Sequence, residues 1–100
     1  MPPSYRFDPD LLEQHFDDHG AEFGAATEAE YEKRASLFWE APLTPNTHVC
    51  VDHLGDLLKF DSSTSEFIAV SPTGVIRSYY ILRPGRSRTA LQRFQDKCNR

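Results

Sequence analysis

The chain has 100 residues, of which 39% are hydrophobic, and it contains seven Phe, four Tyr and one Trp. This length supports one hydrophobic core and excludes two, so we predict a single domain over residues 1–100. The aromatic content is typical of a chain that folds by burying surface and excludes a disordered one. No apolar run approaches the roughly 18 residues of a membrane-spanning helix, and the first residues lack the layout of a signal peptide. We therefore expect a soluble domain without a membrane partner.

The net charge of −4 at pH 7 argues against a general nucleic-acid coat, because binding driven by phosphate neutralisation needs a basic surface. The charges are, however, unevenly distributed. Residues 1–46 carry three Lys or Arg against ten Asp or Glu, whereas residues 75–100 carry seven Lys or Arg against Asp96 alone. One basic end could hold an RNA locally, although a solvated Arg-rich tail has the same composition.

Cys50 and Cys98 are the only cysteines. Neither belongs to a CxxC pair or to a Cys/His pattern that would supply four zinc ligands. We expect two buried or free thiols, with a disulfide as the alternative.

Two helices are predicted in the N-terminal half. Asp8-Pro9 is a typical helix start, because Asp accepts free N–H groups and Pro suits the first helical position, and Gly20 can end this helix. A capping box beginning at Thr27 predicts the second helix, which Pro42 should stop. The apolar face of the first helix includes both of its histidines, in the pattern Leu12, His15, Phe16 and His19.

From Thr47 the hydrophobic period changes to two, and turn-forming clusters recur at short intervals. Short connections make neighbouring strands antiparallel, so the strands should form a meander covered by the helices. The predicted class is α+β, with two N-terminal helices packed on a four-stranded antiparallel meander sheet. Residues 89–98 allow a short C-terminal helix. The four strands are expected near residues 47–53, 56–61, 66–71 and 75–82.

Two patterns could carry chemistry. Imidazole titrates near neutrality, as a general acid or base must, but a histidine on an apolar helix face is more often packed than catalytic. His15 and His19 are spaced for a metal, yet two imidazoles without a third ligand make a weak site.

The last strand interleaves Arg, hydroxyl and aromatic groups, which phosphate and base contacts need, although a solvated strand face looks the same. Strict alternation places Ile76, Ser78 and Tyr80 on one side and Val75, Arg77 and Tyr79 on the other.

Several motifs follow one another along the chain. HFDDHGAEFG at residues 15–24 precedes EYEKRA at residues 30–35. GDLLKFD at residues 55–61, TSEFIAV at 64–70 and GVIRSYY at 74–80 then lead to Pro84. In this order the motifs resemble the toxin domains of bacterial contact-dependent inhibition and polymorphic toxin systems. The resemblance covers about residues 11–84, and the ordered combination carries it.

This resemblance implies the fold shared by barnase, EndoU, colicin and RelE-like nucleases, and metal-independent cleavage of RNA, often a tRNA. Such cleavage uses the ribose 2′-OH as nucleophile, so it needs an acid, a base and a cation at the phosphate. No metal or cofactor is implied. The catalytic candidates, matched residue by residue, are His19 as acid or base, Arg77 as the cation, Ser78 where Thr is commoner, and Tyr80. The expected substrate contacts are His15, His53, Lys59 and Arg83.

The first functional hypothesis is therefore a metal-independent endoribonuclease toxin, secreted or delivered as part of a larger protein and acting in the target-cell cytoplasm. Its partners would be the RNA substrate and a cognate immunity protein. The sequence departs from related toxins at Asp17 and Asp18, where basic residues are common, and these carboxylates would repel phosphate. The alternative is a non-catalytic protein-binding module that retains the same fold, which the acidic first half favours. A metal-dependent hydrolase using His15 and His19 is a third reading that lacks further ligands.

Overall fold

The computed structural model describes residues 6–99. The described chain has an α+β fold, as predicted, with three helices and a five-stranded mixed sheet. The helices are α1 (Pro9–His19), α2 (Glu28–Glu40) and α3 (Ala90–Cys98), and a short 3₁₀ helix (Gly20–Phe23) follows α1. The strands are β1 (Arg6–Phe7), β2 (Thr47–Val51), β3 (Leu57–Asp61), β4 (Glu66–Val70) and β5 (Val75–Ile81).

Side-chain caps fix the start of each helix. The Asp8 carboxylate accepts the N–H of Asp10, 2.9 Å away, at the start of α1. Thr27 accepts the N–H of Glu30, so half of the predicted capping box forms at α2. The other half differs, because the Glu30 carboxylate accepts the N–H of Ala26 at 2.8 Å rather than that of Thr27. The caps therefore place α1 and α2 within one or two residues of the predicted bounds.

The sheet has the order β1-β5-β4-β3-β2, and β2 to β5 form the predicted antiparallel meander. The prediction of a four-stranded, purely antiparallel sheet was wrong at one edge, where β1 pairs with Val75 and Ile76 in parallel. A strand of two residues is too short to show a period of two, so the pattern of residues could not reveal it.

A β-bulge interrupts the pairing of β4 with β5. Ala69 is opposite Ser78, but the next pair is Val70 with Ile76, so Arg77 is an extra residue in β5. Strict alternation along this strand was therefore the wrong expectation. Ile76 and Tyr79 point into the same buried cluster although they are three residues apart.

Each face of the sheet has its own apolar cluster. One lies beneath α1 and α2, where the Tyr31 hydroxyl donates to the carbonyl of Tyr79. The Tyr79 hydroxyl in turn donates to the Glu66 carboxylate at 2.6 Å. On the other face, α3 inserts Phe94 against Phe60 and the rest of the second cluster. The third helix thus covers a face of the sheet that α1 and α2 leave open.

Cys50 of β2 and Cys98 of α3 form a disulfide, with their Cα atoms 5.9 Å apart. The expectation of buried or free thiols was wrong. Packing of α3 across the sheet brings the last residue of that helix to β2, which no spacing in the sequence could show. The bond therefore fastens the covering helix to an edge strand.

None of the helices in residues 6–99 combines the length and the apolar character that crossing a membrane requires.

Loss of the disulfide should lower the free energy of unfolding by about 4 kcal/mol, because the bond joins residues 48 positions apart and restricts the unfolded chain. Cys98→Ser, followed by urea denaturation with Trp39 fluorescence, measures this cost. Cys50→Ser and the double variant are the matched controls, and both should cost as much as Cys98→Ser because each removes the same bond. A double variant much less stable than either single variant would contradict this explanation.

Alkali should destabilise the fold through Tyr31 and Tyr79. Burial, the largest cause, raises the pKa of both phenols above 10.0, so they stay neutral in the folded state while the unfolded chain ionises. The unfolded state then binds fewer protons, and the free energy of unfolding falls above about pH 10 by about 1.4 kcal/mol per pH unit for each phenol. Urea denaturation at neutral and alkaline pH measures the slope. Tyr79→Phe should remove the contribution of one phenol to this slope. An unchanged slope would refute the role of Tyr79 in the alkaline destabilisation.

Candidate functional site

A groove of about 230 Å³ opens on the face of the sheet that α3 covers. Its apolar floor comes from β3 and β4, and its polar walls come from the β2–β3 turn, β5 and α3. The bulge at Arg77 makes this arrangement possible, because it turns Arg77 toward the same face as Ser78 and Tyr80. The polar side chains of the groove are Asp52, His53, Asp56, Arg77, Ser78, Tyr80 and Lys97.

Arg77 is held in the groove by Asp56. Its Nε lies 3.0 Å from Oδ1 and 2.9 Å from Oδ2 of that carboxylate, which is buried. The backbone N–H of Asp56 donates to the Asp52 carboxylate at 3.0 Å, so the turn that carries Asp56 is itself fixed. The Arg77 side chain is 54% exposed, so an anion can approach its guanidinium from solvent.

Tyr80 connects the groove to α1. Its ring stacks on the imidazole of His19, with centroids 5.2 Å apart and planes 28° apart. On the groove side, the ammonium of Lys97 lies 6.0 Å from the centre of the Tyr80 ring and 5.3 Å from that of Phe67. The two ring contacts hold this cation close to the groove.

His19 forms a pair with Glu22, a residue for which the sequence suggested no role. The two side chains meet at 2.6 Å between Nδ1 and Oε2, and the second oxygen of Glu22 accepts the N–H of Ile81 at 2.9 Å. Within residues 6–99, β1 pairs with Val75 and Ile76 and does not extend to Ile81, so the Ile81 N–H can donate to Glu22. Glu22 thus fixes the imidazole to the open edge of β5.

The contact with Glu22 also determines which ring nitrogen of His19 carries the proton. Donation from Nδ1 to the carboxylate leaves Nε2 with the lone pair when the ring is neutral. The side chain is 29% exposed, so it is not sealed from solvent. A ring oriented by a carboxylate, with its other nitrogen able to accept a proton, has the form of a general base.

Gly20 allows the chain to turn between His19 and Glu22. A Cβ atom at this position would lie 2.6 Å from the Phe16 ring, which is closer than such contacts occur. The absence of a side chain lets the 3₁₀ helix follow α1 directly and brings Glu22 back to His19. The helix end predicted at Gly20 is therefore also a requirement of the His19 and Glu22 pair.

Lys59, an expected substrate contact, does not line the groove. The side chain lies under the end of α2 on the other face of the sheet, and the residue is only 2% exposed. Its ammonium donates to the carbonyls of Phe38 at 2.7 Å and Ala41 at 2.9 Å. Burial lowers the pKa of this amine. Lys59 therefore satisfies the end of a helix.

His15 and Arg83 also lie apart from the residues that line the groove. The ring of His15 packs against Phe7 of β1 with centroids 5.1 Å apart, and burial lowers its pKa. Arg83 is exposed beyond β5, and its carbonyl accepts a hydrogen bond from Arg93. Of the four expected substrate contacts, the structure brings His53 alone to the groove.

The sequence did not reveal four residues of the site, namely Glu22, Asp52, Asp56 and Lys97. Glu22 follows His19 by three positions, and this spacing was the available signal. Asp56 and Lys97 reach the groove through tertiary packing and gave no local signal.

Within residues 6–99, no group of three or more His, Cys, Asp or Glu side chains has the geometry to hold a metal ion. No family model matches the chain, and no curated protein matches it with significant similarity.

Removal of the guanidinium should leave the buried Asp56 carboxylate without its cation. Arg77→Met is expected to lower the free energy of unfolding by about 1–3 kcal/mol, the usual cost of an unsatisfied buried acceptor. The double variant with Asp56→Ala should lose less than the sum of the two single variants, because both partners leave together. Urea denaturation of the four proteins measures this coupling, and strictly additive losses would argue against the contact.

Proposed function

We propose that the chain is a metal-independent endoribonuclease toxin domain that cleaves RNA by attack of the ribose 2′-OH. The observation that carries the proposal is the stacking of His19, held by Glu22, on Tyr80 of a groove that also contains Arg77 and Lys97. An oriented imidazole that stacks on one wall of a groove containing two cations is a combination that phosphodiester cleavage without a metal can use.

In the proposed reaction, the 2′-oxygen bonds to phosphorus while the bond from phosphorus to the 5′-oxygen breaks. A base takes the proton of the 2′-OH, and an acid gives a proton to the departing 5′-oxygen. His19 exchanges one of these protons through Nε2. The products are a 2′,3′-cyclic phosphate and a 5′-hydroxyl, with no other reactant consumed.

The other groove residues stabilise charge and position the substrate. Arg77 and Lys97 neutralise the charge that develops on the phosphoryl oxygens, and Ser78 donates a hydrogen bond to one of them. Tyr80 offers a ring face for a base or ribose, and His53 at the rim contacts the RNA. The carboxylate of Asp56 is already paired with Arg77, which limits its repulsion of phosphate.

The charge distribution supports an approach from the α3 side. Asp17 and Asp18, the carboxylates that depart from the toxin pattern, are exposed on α1. Lys97 of α3 lies over the Tyr80 ring and lines the groove, whereas Asp17 and Asp18 are not among the residues that line it. A polyanion that enters over α3 meets cations first.

The disulfide supports delivery through an oxidising space, because such bonds form and persist in secreted proteins. We propose that the domain is delivered as part of a larger toxin, acts in the target-cell cytoplasm, and is neutralised by a cognate immunity protein. These partners and the route agree with the proposed chemistry.

The second candidate function is a non-catalytic protein-binding module with the same fold. Apolar side chains on the edge strand β2 and its turn favour it, since Val49, Val51 and Leu54 are 47%, 56% and 65% exposed. An edge strand with exposed apolar groups is a common contact for another protein. An immunity protein could use the same surface, so these residues alone do not separate the two functions.

Cleavage of RNA in excess EDTA tests the proposal. The purified domain should cut total RNA under these conditions. A metalloenzyme would lose its activity when EDTA removes the metal, and a binding module would not cut RNA at all. His19→Ala should lower the rate about 10²–10⁴-fold, the usual contribution of acid-base help. His15→Gln, one turn earlier on the same helix and outside the groove, is the matched control and should keep the wild-type rate.

Two outcomes would count against this assignment. Full activity of His19→Ala would disprove the role of the imidazole, and the absence of cutting by the wild-type domain would favour the binding module. Expression of the domain in a bacterial cytoplasm provides the toxin readout. The wild-type chain should arrest growth and His19→Ala should not.

A further inference from the structure

A second depression, of about 220 Å³, lies in the loop between β5 and α3 and against α3 itself. Four cationic side chains line it against one carboxylate, in a chain whose net charge is −4. The cations are Arg86, Arg88, Arg93 and Lys97. We call these residues the arginine loop site.

Two of the arginines are held in place by other groups. The guanidinium of Arg88 makes two contacts with the Asp96 carboxylate, from Nη2 at 2.7 Å and from Nε at 2.6 Å. Arg93 donates to the carbonyl of Arg83 at 2.5 Å. The loop closes on itself, since the N–H of Gly85 donates to the carbonyl of Arg88 at 2.9 Å. These contacts keep several guanidinium groups around one depression, which like charges would otherwise separate.

The arginine loop site and the groove share Lys97, which lines both. The two depressions are therefore neighbours on one surface. One extended molecule with repeated negative charges could therefore occupy both depressions. A single-stranded nucleic acid is such a molecule, because its backbone carries a phosphate at every nucleotide.

We propose that the arginine loop site binds the backbone phosphates of RNA that extends beyond the groove, as a second binding site outside the cleavage position. The inference rests on the proposed function for its ligand. The Arg-rich C-terminal segment then increases the affinity for the RNA substrate. Its phosphate contacts attract RNA of any sequence. This second site also explains how an acidic protein could hold a polyanion.

Binding of an uncleavable ligand tests the site without dependence on catalysis. The probe is a fluorescent 2′-O-methyl RNA dodecamer, and its anisotropy gives the dissociation constant over a series of salt concentrations. Arg86→Glu should weaken binding and reduce the slope of log affinity against log salt by about one, the loss of one phosphate contact. Lys33→Glu, an equal charge change on exposed α2, is the matched control and should bind as the wild type does.

Cleavage kinetics provide the second measurement. Arg86→Glu should raise KM for an RNA dodecamer and leave both kcat and KM unchanged for a dinucleotide, which occupies the groove alone. If Arg86→Glu and Lys33→Glu bind the dodecamer equally well, the inference is overturned even when the domain cuts RNA. If the Arg86→Glu binding defect appears but no RNA is cut, the second site is supported and the nuclease proposal fails.

Discussion

The extra residue in β5 is the constraint on which the candidate site depends. Before the bulge, Ile76 points into the core beneath α1 and α2, and after it Tyr79 points into the same core. Arg77 and Ser78 lie between them and face the groove together with Tyr80. A regular strand would bury one of these polar groups or expose one of the core residues. The bulge thus lets one strand serve the core and the site at once.

The sheet is covered on both faces although the chain is short. Tyr31 and Tyr79 anchor α1 and α2 by a hydrogen bond inside an aromatic cluster. The opposite cover is α3, a helix of nine residues whose only buried side chain is Phe94. So small a helix buries little apolar surface, and the disulfide supplements its packing by restricting the unfolded chain. The groove also depends on the disulfide, because Lys97, which lines the groove, belongs to α3.

Local signals in the sequence were enough for the meander and the three helices. Caps such as Asp8 and Thr27 act on neighbouring N–H groups, so their effect can be predicted without tertiary structure. The positions of Lys59 and Cys98 could not be predicted in this way. A lysine in an alternating strand looks like a surface residue unless one knows that the end of α2 lies above it. The bulge was hidden for a similar reason, because its signal lies in the pairing with β4.

The disulfide has a consequence for transport. Cys50 and Cys98 close a covalent ring that contains β3, β4, β5 and all of α3. Unfolding does not open this ring, so the oxidised chain cannot be drawn through a narrow conduit as a single extended thread. A conduit for the oxidised domain must admit at least two chain segments side by side, whereas a reduced domain can pass one residue at a time.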